Sequence, residues 1–452
     1  MSSSRAFPLV LALVSSTSLL GPLSLRAQEV DRIWGRVQTV SGQIHEGFIR
    51  WDRNEGSWVD QLDGSKEHRP FEFQDWWKIS HPGDKRRDRV IELAGYRITW
   101  DDDEPDFPDT AESGIRFGHI RRLTVVEGEV ARLELRSGSV VELEGGATDL
   151  GEDLREILIK DTQGRLVELA WEELAMVEFM AAPATAEAGD RRLHGTVEVK
   201  DGPAFTGYIS WDTDKILSSD PLEGRDSDKK RREIPFGRIA SILPIKNGAE
   251  VTLMDGGSVR LFGTDDVTSG NAGIQISDPG LGLVDVDWDD LGTVRFHPPE
   301  VPVGWDAFDG GRRLRGTVVT ADSTELTGWI KWDGDEEYSW ELLDGRDGDL
   351  GLDVEFGKIA SIERSFEDVT SVNLGPAGLS VRGGVRDRET LVTLRDGRIL
   401  ELGGSNDVDE SNHGIFVLGY WAGNSPDDED AEWVMVRWED FRAARFNWED
   451  SR

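Results

Sequence analysis

The 452-residue sequence contains no cysteine and few histidines, tyrosines or methionines, 7, 4 and 5 respectively. Without cysteine there are no disulfides, no thiolate metal ligands and no lipid-modified N-terminal cysteine. Basic residues are also scarce, because 51 Lys and Arg stand against 88 Asp and Glu, for a net charge of −37. A field of this sign repels phosphate backbones, so we expect no nucleic-acid partner.

Long hydrophobic runs are missing apart from one short stretch at the N-terminus. Arg5 precedes an apolar segment at residues 6–14, and Leu25-Arg26-Ala27 ends in a small residue. This pattern predicts a signal peptide at 1–27 that is cleaved after Ala27. We therefore expect an exported protein, periplasmic or extracellular, with no transmembrane segment in the mature chain. Export without disulfides favours a bacterial envelope.

An internal repeat divides the rest of the chain. Two glycines twelve residues apart precede a Trp-Asp pair, and a Leu-acid-Gly triplet follows eleven residues after each tryptophan. The spacing predicts three tandem modules at 30–180, 191–297 and 311–446, with an extra unit near 89–123 in the first. The repeated sets are Gly35/Gly47/Trp51/Leu62-Asp63-Gly64, Gly195/Gly207/Trp211/Leu222-Glu223-Gly224 and Gly316/Gly328/Trp332/Leu343-Asp344-Gly345.

Within the modules, polar and apolar residues alternate around Asp-Gly and Ser-Gly turns, which favours β-hairpins. A smaller pattern places an aromatic residue three positions before an apolar residue, with a second apolar residue three further on. A period of three is typical of a single 3₁₀ turn. The aromatic residues of this pattern include Phe117, Trp171, Phe236, Trp288, Phe356 and, in a weaker copy, Trp438.

A strand, a 3₁₀ turn and a further strand resemble the last part of small SH3-like or Sm-like barrels, in which five or six short strands close on themselves. The resemblance implies an all-β chain in which each module holds two small SH3-like barrels. A β-propeller and immunoglobulin-like sandwiches stay open as alternative folds. The Trp-Asp pairs are spaced too irregularly for a propeller of the Trp-Asp type, whereas strand patterns alone do not separate a sandwich from a barrel.

The repeated aromatic residues are expected to anchor the cores of the modules, because the same residue type recurs where each module closes. Tryptophans outside the repeat, namely Trp58, Trp329, Trp340 and Trp421, are candidates for a glycan or peptide groove. The nine expected anchors are Trp51, Trp211, Trp332, Trp171, Trp288, Trp438, Phe117, Phe236 and Phe356.

Catalytic motifs are missing from the sequence. The histidines never fall three to five residues apart, and the sequence has no Gly-x-Ser-x-Gly, P-loop or dinucleotide fingerprint. Carboxylates are the one group abundant enough to form a site, and calcium accepts six to eight such oxygens. The candidate calcium ligands are Asp344, Asp347, Asp349 and Asp353.

We therefore expect a non-catalytic binding or scaffold protein of the cell envelope, without a cofactor, whose partner is an envelope protein or a glycan. The alternative is a calcium-dependent carbohydrate or peptide binder, and a hydrolase with paired carboxylates comes third. Two basic runs, at 85–87 and 229–232, are interpreted as solvated loops or as docking points for an acidic neighbour, including a second copy of the chain. The sequence leaves the oligomeric state open.

Overall fold

The computed structural model describes residues 30–67, 89–93, 96–100, 110–145, 149–368, 373–374, 379–380, 385–419 and 433–448. This part of the chain is built from antiparallel strands and short 3₁₀ turns, so the all-β prediction is confirmed. None of its helical segments is long and apolar enough to cross a membrane. The predicted signal peptide at 1–27 and the basic run at 85–87 lie outside the described residues.

The first module follows the predicted hairpin pattern and contains two 3₁₀ turns, at Phe117–His119 and Trp171–Glu173. Its strands in chain order are β1 (Trp34–Thr39), β2 (Ile44–Trp51), β3 (Gln61–Glu67), β4 (Arg89–Leu93), β5 (Tyr96–Trp100), β6 (Thr110–Arg116), β7 (Ile120–Glu127), β8 (Val130–Leu135), β9 (Val140–Leu143), β10 (Ile157–Asp161), β11 (Leu166–Leu169) and β12 (Leu174–Phe179).

The second module has 3₁₀ turns at Phe236–Arg238 and Asp265–Val267, and the linker after it contains a third at Trp305–Ala307. Its strands are β13 (His194–Val199), β14 (Ala204–Trp211), β15 (Pro221–Arg225), β16 (Arg231–Pro235), β17 (Ile239–Ile245), β18 (Gly248–Leu253), β19 (Ser258–Phe262), β20 (Ile274–Asp278), β21 (Gly282–Val286) and β22 (Leu291–Phe296).

The third module has 3₁₀ turns at Phe356–Lys358 and Trp438–Asp440. Its strands are β23 (Arg315–Thr320), β24 (Glu325–Lys331), β25 (Leu342–Asp347), β26 (Leu350–Glu355), β27 (Ile359–Asp368), β28 (Asn373–Leu374), β29 (Leu379–Ser380), β30 (Val385–Leu394), β31 (Ile399–Leu402), β32 (Ile415–Gly419), β33 (Trp433–Val436) and β34 (Phe441–Phe446).

All three modules share one strand order. In the second module it is β16-β15-β19-β18-β17-β22-β13-β14-β20-β21. The other two have the same order, except that β3 joins β9, and β25 joins β31, through isolated bridges rather than full ladders (Ser65↔Glu144 and Arg346↔Gly403). Strands from the first half of a module therefore pair with strands from its second half, as β14 does with β20 and β15 with β19. The halves are interlocked rather than consecutive.

The common order also places the insertion of the first module. Phe117 begins the 3₁₀ turn between β6 and β7, as Phe236 and Phe356 do between the corresponding strands of the other modules. Residues 110–123 thus belong to the regular repeat, contrary to our expectation of an extra unit extending to 123. The additional segment lies between β3 and β6 and includes the β4–β5 hairpin.

The repeated glycines face each other across the first hairpin of each module. Gly316 pairs with Gly328, and a Cβ at Gly328 would overlap the backbone carbonyl of Leu418 on the neighbouring strand β32. Glycine is therefore required where β24 and β32 approach closely. The equivalent cross-strand pairs are Gly35↔Gly47 and Gly195↔Gly207.

The expected aromatic anchors pack as three equivalent triplets. Trp332 lies 6.2 Å from Phe356 and 6.4 Å from Trp438, with its ring nearly perpendicular to that of Trp438. Edge-to-face contacts of this kind are the favoured arrangement of aromatic rings. All nine anchors are buried, and the other two triplets are Trp51/Phe117/Trp171 and Trp211/Phe236/Trp288.

The three modules pack against one another. Strand β21 of the second module pairs with β26 of the third, so the apolar cores of these two modules are continuous. The first module contacts both of the others through buried ion pairs. Arg192 lies 2.9 Å from Asp60, and Arg116 lies 3.1 Å from Glu355.

Candidate functional site

Each module repeats two hydrogen bonds around one aspartate. In the third module, the Trp332 indole donates to the Asp407 carbonyl at 2.9 Å, and the Asp407 carboxylate accepts the Asp344 backbone N–H at 2.7 Å. These bonds fix the acid of the Leu-acid-Gly triplet relative to the core. The same bonds join Trp51, Asp149 and Asp63 in the first module and Trp211, Asp266 and Glu223 in the second.

Two of these triplet acids, Asp63 and Asp344, line a cavity of about 310 Å³ where the three modules meet. Strands β3 and β6 of the first module, β20 and β21 of the second, and β25 and β26 of the third form its walls. Glu223, the triplet acid of the second module, lies outside the cavity and is paired with Arg231 at 2.9 Å. The assembly of the modules therefore creates a site that no single module contains.

The wall of this cavity is strongly acidic. Among the described residues that line it, seven carry carboxyl groups and one carries an ammonium group, while two glutamines, two serines, two leucines and two glycines complete the lining. Cations are therefore the ligands that its charge favours. The carboxyl residues are Asp63, Glu112, Asp285, Glu336, Glu341, Asp344 and Asp353, and the ammonium residue is Lys66.

The carboxylates repel one another across the cavity. Asp344 and Asp353 are directly opposite in the β25–β26 ladder, an arrangement that is unfavourable for like charges. Burial, together with the charges of Asp344, Asp285 and Asp63, raises the pKa of Asp353 to about 8. Asp63 is exposed to the cavity, but the protein around it still reduces its hydration. That effect and the charges of Glu112 and Asp285 raise its pKa to about 6.

The four predicted calcium ligands are divided by the structure. Asp344 and Asp353 face the cavity, whereas Asp347 and Asp349 are exposed at the tip of the β25–β26 hairpin. The tip turns at Gly348, whose φ of 62° explains the glycine there. In the described part of the chain, no group of three or more His, Asp or Glu residues is arranged to hold a metal ion.

The second module holds an ammonium group in a cage of three aspartates. Lys215 follows Trp211 by four residues, and its Nζ lies 3.1 Å from Asp212, 2.9 Å from Asp214 and 3.0 Å from Asp266. Burial acts to lower the pKa of Lys215, but its bond to Asp214 and the Asp266 charge raise the pKa above the usual value. The lysine is therefore held as a cation.

The third module keeps the three aspartates and replaces the lysine by Glu336. The equivalents of Asp212, Asp214 and Asp266 are Asp333, Asp335 and Asp407. Glu336 is 9 % exposed and lines the cavity, and its Oε2 has no hydrogen-bond partner. Burial and the charges of Asp407 and Asp335 raise the pKa of Glu336 well above its ordinary value.

Neighbouring groups form hydrogen bonds with only some of the oxygens in this carboxylate cluster. Asp333 accepts hydrogen bonds from the His413 backbone and from the Asn406 amide. The Lys66 ammonium from the first module binds Glu341 and the Asp335 carbonyl. The Asp335 Oδ1 and the Glu336 Oε2 are buried and have no partner. Of these two residues only Glu336 lines the cavity, and the Lys66 charge offsets part of the rise in its pKa. The Glu336 carboxylate is therefore the one that a cation entering from the cavity meets.

The first module has a third version of the cage. Glu55 occupies the position of Lys215, Asn54 replaces one aspartate, and Arg155 pairs with Asp52 at 2.8 Å. Burial and the Asp149 charge raise the pKa of Glu55 well above its ordinary value. Glu55 is not among the residues that line the cavity, so the cavity contains only the third module's version.

The prediction that tryptophans outside the repeat line a groove is wrong for two of these residues. Trp58 and Trp340 are 0 % and 1 % exposed and belong to the apolar core of the first module. Trp329 is half-buried beneath Arg313 and Arg315, 5.6 Å from each guanidinium. Trp421 lies outside the described residues.

The loop 229–232 carries ion pairs within its own hairpin. Arg231 lies 2.9 Å from Glu223, and Arg232 lies 2.6 Å from Asp226. Much of its positive charge is therefore already balanced.

Comparison of the chain with protein-family models, with curated proteins and with solved structures gave no match. The function is therefore inferred from the geometry of the cavity.

Proposed function

We propose that the chain is an exported, non-catalytic binding protein whose ligand site is the cavity between the three modules. The observation that carries this proposal is the convergence of carboxylates from all three modules on one cavity, which is also lined by the buried Glu336 with its unpartnered oxygen. A cavity of about 310 Å³ lies at the lower end of the range for small-molecule sites. The ligand carries positive charge, because it must offset the mutual repulsion of the lining carboxylates.

The scaffold that forms the site is proposed to consist of paired SH3-like barrels. Each module divides into two five-stranded sets, for example β13, β14, β20, β21 and β22 beside β15 to β19. In each set a short turn begins with an aromatic anchor and joins two strands. A 3₁₀ turn at Phe236 joins β16 to β17, and a turn at Trp288 joins β21 to β22, where the Leu291 N–H donates to the Trp288 carbonyl. The number of strands and the position of the turn support the resemblance.

Thermal unfolding of the mature chain against a panel of ligands tests the binding proposal. A ligand that binds the folded state raises the melting temperature, and above Kd the rise grows with the logarithm of the ligand concentration. We expect cations to raise it, and neutral glycans and anions to leave it unchanged. The double variant Asp285→Asn/Asp353→Asn should lose the response, while the matched control Asp347→Asn/Asp349→Asn, on the hairpin tip, should keep it. A response to glycans that persists in the first variant would contradict the proposal.

A calcium-dependent binder is the second candidate, and it is favoured by the cross-strand pair of Asp344 and Asp353 within the cavity. Calcium alone would then bind with a stoichiometric heat that is lost in Asp344→Asn/Asp353→Asn. A calcium heat that instead depends on Asp347 and Asp349 would move the site to the hairpin tip and contradict both candidates.

A further inference from the structure

The cage around Lys215 shows what the corresponding carboxylates of the third module can hold. The two cages occupy the same position in the repeat, four residues after a buried tryptophan that is bonded to the caging aspartate. In the second module the cage surrounds a primary ammonium group that the chain itself supplies. In the third module the chain supplies a carboxylate instead, and that carboxylate lines an open cavity.

The other side of the cavity presents a second carboxylate group. Asp63, Asp285, Asp344 and Asp353 come from strands of all three modules and line the cavity together, and the charges of the first three all act on Asp353. Lys66 does not compensate them, because its ammonium binds Glu341 and the Asp335 carbonyl. Arg346, which does not line the cavity, offsets part of the Asp285 charge. One monovalent cation at Glu336 would therefore leave most of this second group unbalanced.

The size of the cavity favours an organic cation over a bare metal ion. A volume of about 310 Å³ is many times that of one water molecule, which takes up about 30 Å³ in the liquid. A metal ion also requires several oxygen ligands close to it, which for calcium lie at about 2.3–2.6 Å. The described carboxylates are not grouped in that way. An ammonium group accepts the looser, tripodal arrangement seen around Lys215.

We propose that the cavity binds a small aliphatic amine with at least two ammonium groups, one of which lies beside Glu336 where Lys215 places its own ammonium in the second module. The second ammonium group lies among Asp63, Asp285, Asp344 and Asp353. This inference rests on the proposed function, because it takes the cavity as the ligand site and assigns the class of ligand.

Isothermal titration calorimetry of the full mature chain with 1,4-diaminobutane and spermidine tests the inference. We expect saturable binding of both probes, and binding of 1-aminobutane and N-acetyl-1,4-diaminobutane that is at least about tenfold weaker, since each lacks one charged hydrogen-bonding group. Equal affinity for the monoamines would overturn the requirement for two ammonium groups. Tighter binding of a lysine-containing peptide than of either probe would overturn the assignment to a small amine.

The variant Glu336→Lys tests the position of the first ammonium group. It recreates the sequence of the second module, so its own lysine should fill the cage, raise the melting temperature and weaken diamine binding by at least about tenfold. The matched control Glu55→Lys makes the same change at the equivalent position of the first module, outside the cavity, and should leave binding unchanged. Unchanged diamine binding in a folded Glu336→Lys variant would overturn the assignment.

Two further measurements keep the result decisive. Glu336→Gln changes charge with little change in volume, and it should weaken diamine binding even if Glu336→Lys fails to fold. Calcium titration separates the two proposals. Calcium binding without diamine binding would overturn the amine inference and leave the cavity as the ligand site, whereas no binding of any cation would overturn both.

Discussion

Arg116 and Glu355 occupy equivalent positions in the first and third modules and meet as a buried ion pair. Each directly precedes the 3₁₀ turn of its module, and the Arg116 Nε lies 3.1 Å from the Glu355 Oε2. Burial alone would raise the pKa of Glu355, but the Arg116 guanidinium and the His119 imidazole, 3.8 Å away, lower it to about 2. The two modules thus face each other through the same point of the repeat.

Removing one member of this pair should be costly. Glu355→Gln leaves the Arg116 charge buried without its partner, and we expect a loss of about 3 to 5 kcal/mol in the free energy of unfolding. Urea denaturation followed by tryptophan fluorescence measures it. The double variant Arg116→Met/Glu355→Leu removes both charges and should be more stable than Glu355→Gln. A double variant less stable than the single would show that the pair contributes net stability.

The hydrogen bond donated by the indole of the repeated tryptophan can be tested in each of the three modules. Trp332→Phe removes the donor to the buried Asp407 carbonyl while keeping most of the aromatic surface. We expect a loss of about 1 to 3 kcal/mol in the free energy of unfolding, the cost of an unsatisfied buried acceptor.

Trp51→Phe and Trp211→Phe serve as internal comparisons in the same denaturation experiment. Their indoles donate to Asp149 and Asp266 at the same distance of 2.9 Å. Similar losses in all three would agree with a shared structural role. A loss confined to one variant would mean that the repeat has diverged in function at that tryptophan.

The local parts of this architecture could be predicted from the sequence, because they depend on residues close in the chain. The period of three correctly predicts the 3₁₀ turns at Phe117, Trp171, Phe236, Phe356 and Trp438. It also marks Trp288, where the structure has a turn but no 3₁₀ helix. The interlocking of the halves could not be predicted, since the pairing of β14 with β20 joins residues more than sixty positions apart. Turn residues specify where a strand ends, but they do not specify its distant partner.

The candidate site was only partly visible in the sequence. Asp344 and Asp353 were found through local acid density, but Asp63 and Asp285 reach the cavity only because the modules pack together. One signal was present and missed. Four residues after the repeated tryptophan, the modules carry Glu55, Lys215 and Glu336, and this reversal of charge at an otherwise regular position marks the cage.

The cage of the second module should become unstable if its lysine is replaced by the residue of the third. Lys215→Glu places a fourth carboxyl group among Asp212, Asp214 and Asp266, and we expect a loss of about 3 to 5 kcal/mol in the free energy of unfolding at pH 8. The loss should be smaller at pH 5, where a shared proton relieves the repulsion. Urea denaturation at both pH values measures it, and equal losses would contradict the role of Lys215 as the compensating charge.

The stability of the whole protein should fall as the pH rises from 5 to 8. Asp63 and Asp353 have pKa values raised to about 6 and about 8, and burial also raises the pKa values of Glu336 and Asp407 well above their ordinary values. Between the ordinary pKa near 4 and these values, the folded state binds more protons than the unfolded state, so the free energy of unfolding decreases with pH. Glu355 acts in the opposite sense below about pH 4.5. His194 also opposes the trend up to about pH 6.5, because burial lowers its pKa to about 4, whereas Asp31, with a pKa raised to about 7 by burial, adds to the fall.

Differential scanning calorimetry across this range measures the effect. The melting temperature should be higher at pH 5 than at pH 8, and Glu336→Lys should reduce the difference, because the lysine offsets the Asp407 and Asp335 charges. A melting temperature that rises toward pH 8 would mean that the cavity carboxylates do not retain protons in the folded state.

The cavity should depend on Gly282, which lies at the contact between the second and third modules. This residue has a φ of 155°, and a Cβ there would overlap the Asp353 carbonyl on β26. Gly282→Val should therefore push β21 away from β26 and separate Asp285 from Asp353. Because each module keeps its own aromatic triplet, we expect the protein to stay folded but to lose cation binding at the cavity. Circular dichroism and calorimetric titration together measure the folding and the cation binding. The control for backbone strain alone is Gly256→Ala, because Gly256 lies in an exposed turn of the second module with a φ of 86°. Cation binding that survives in a folded Gly282→Val variant would show that the β21–β26 contact is not needed to form the site.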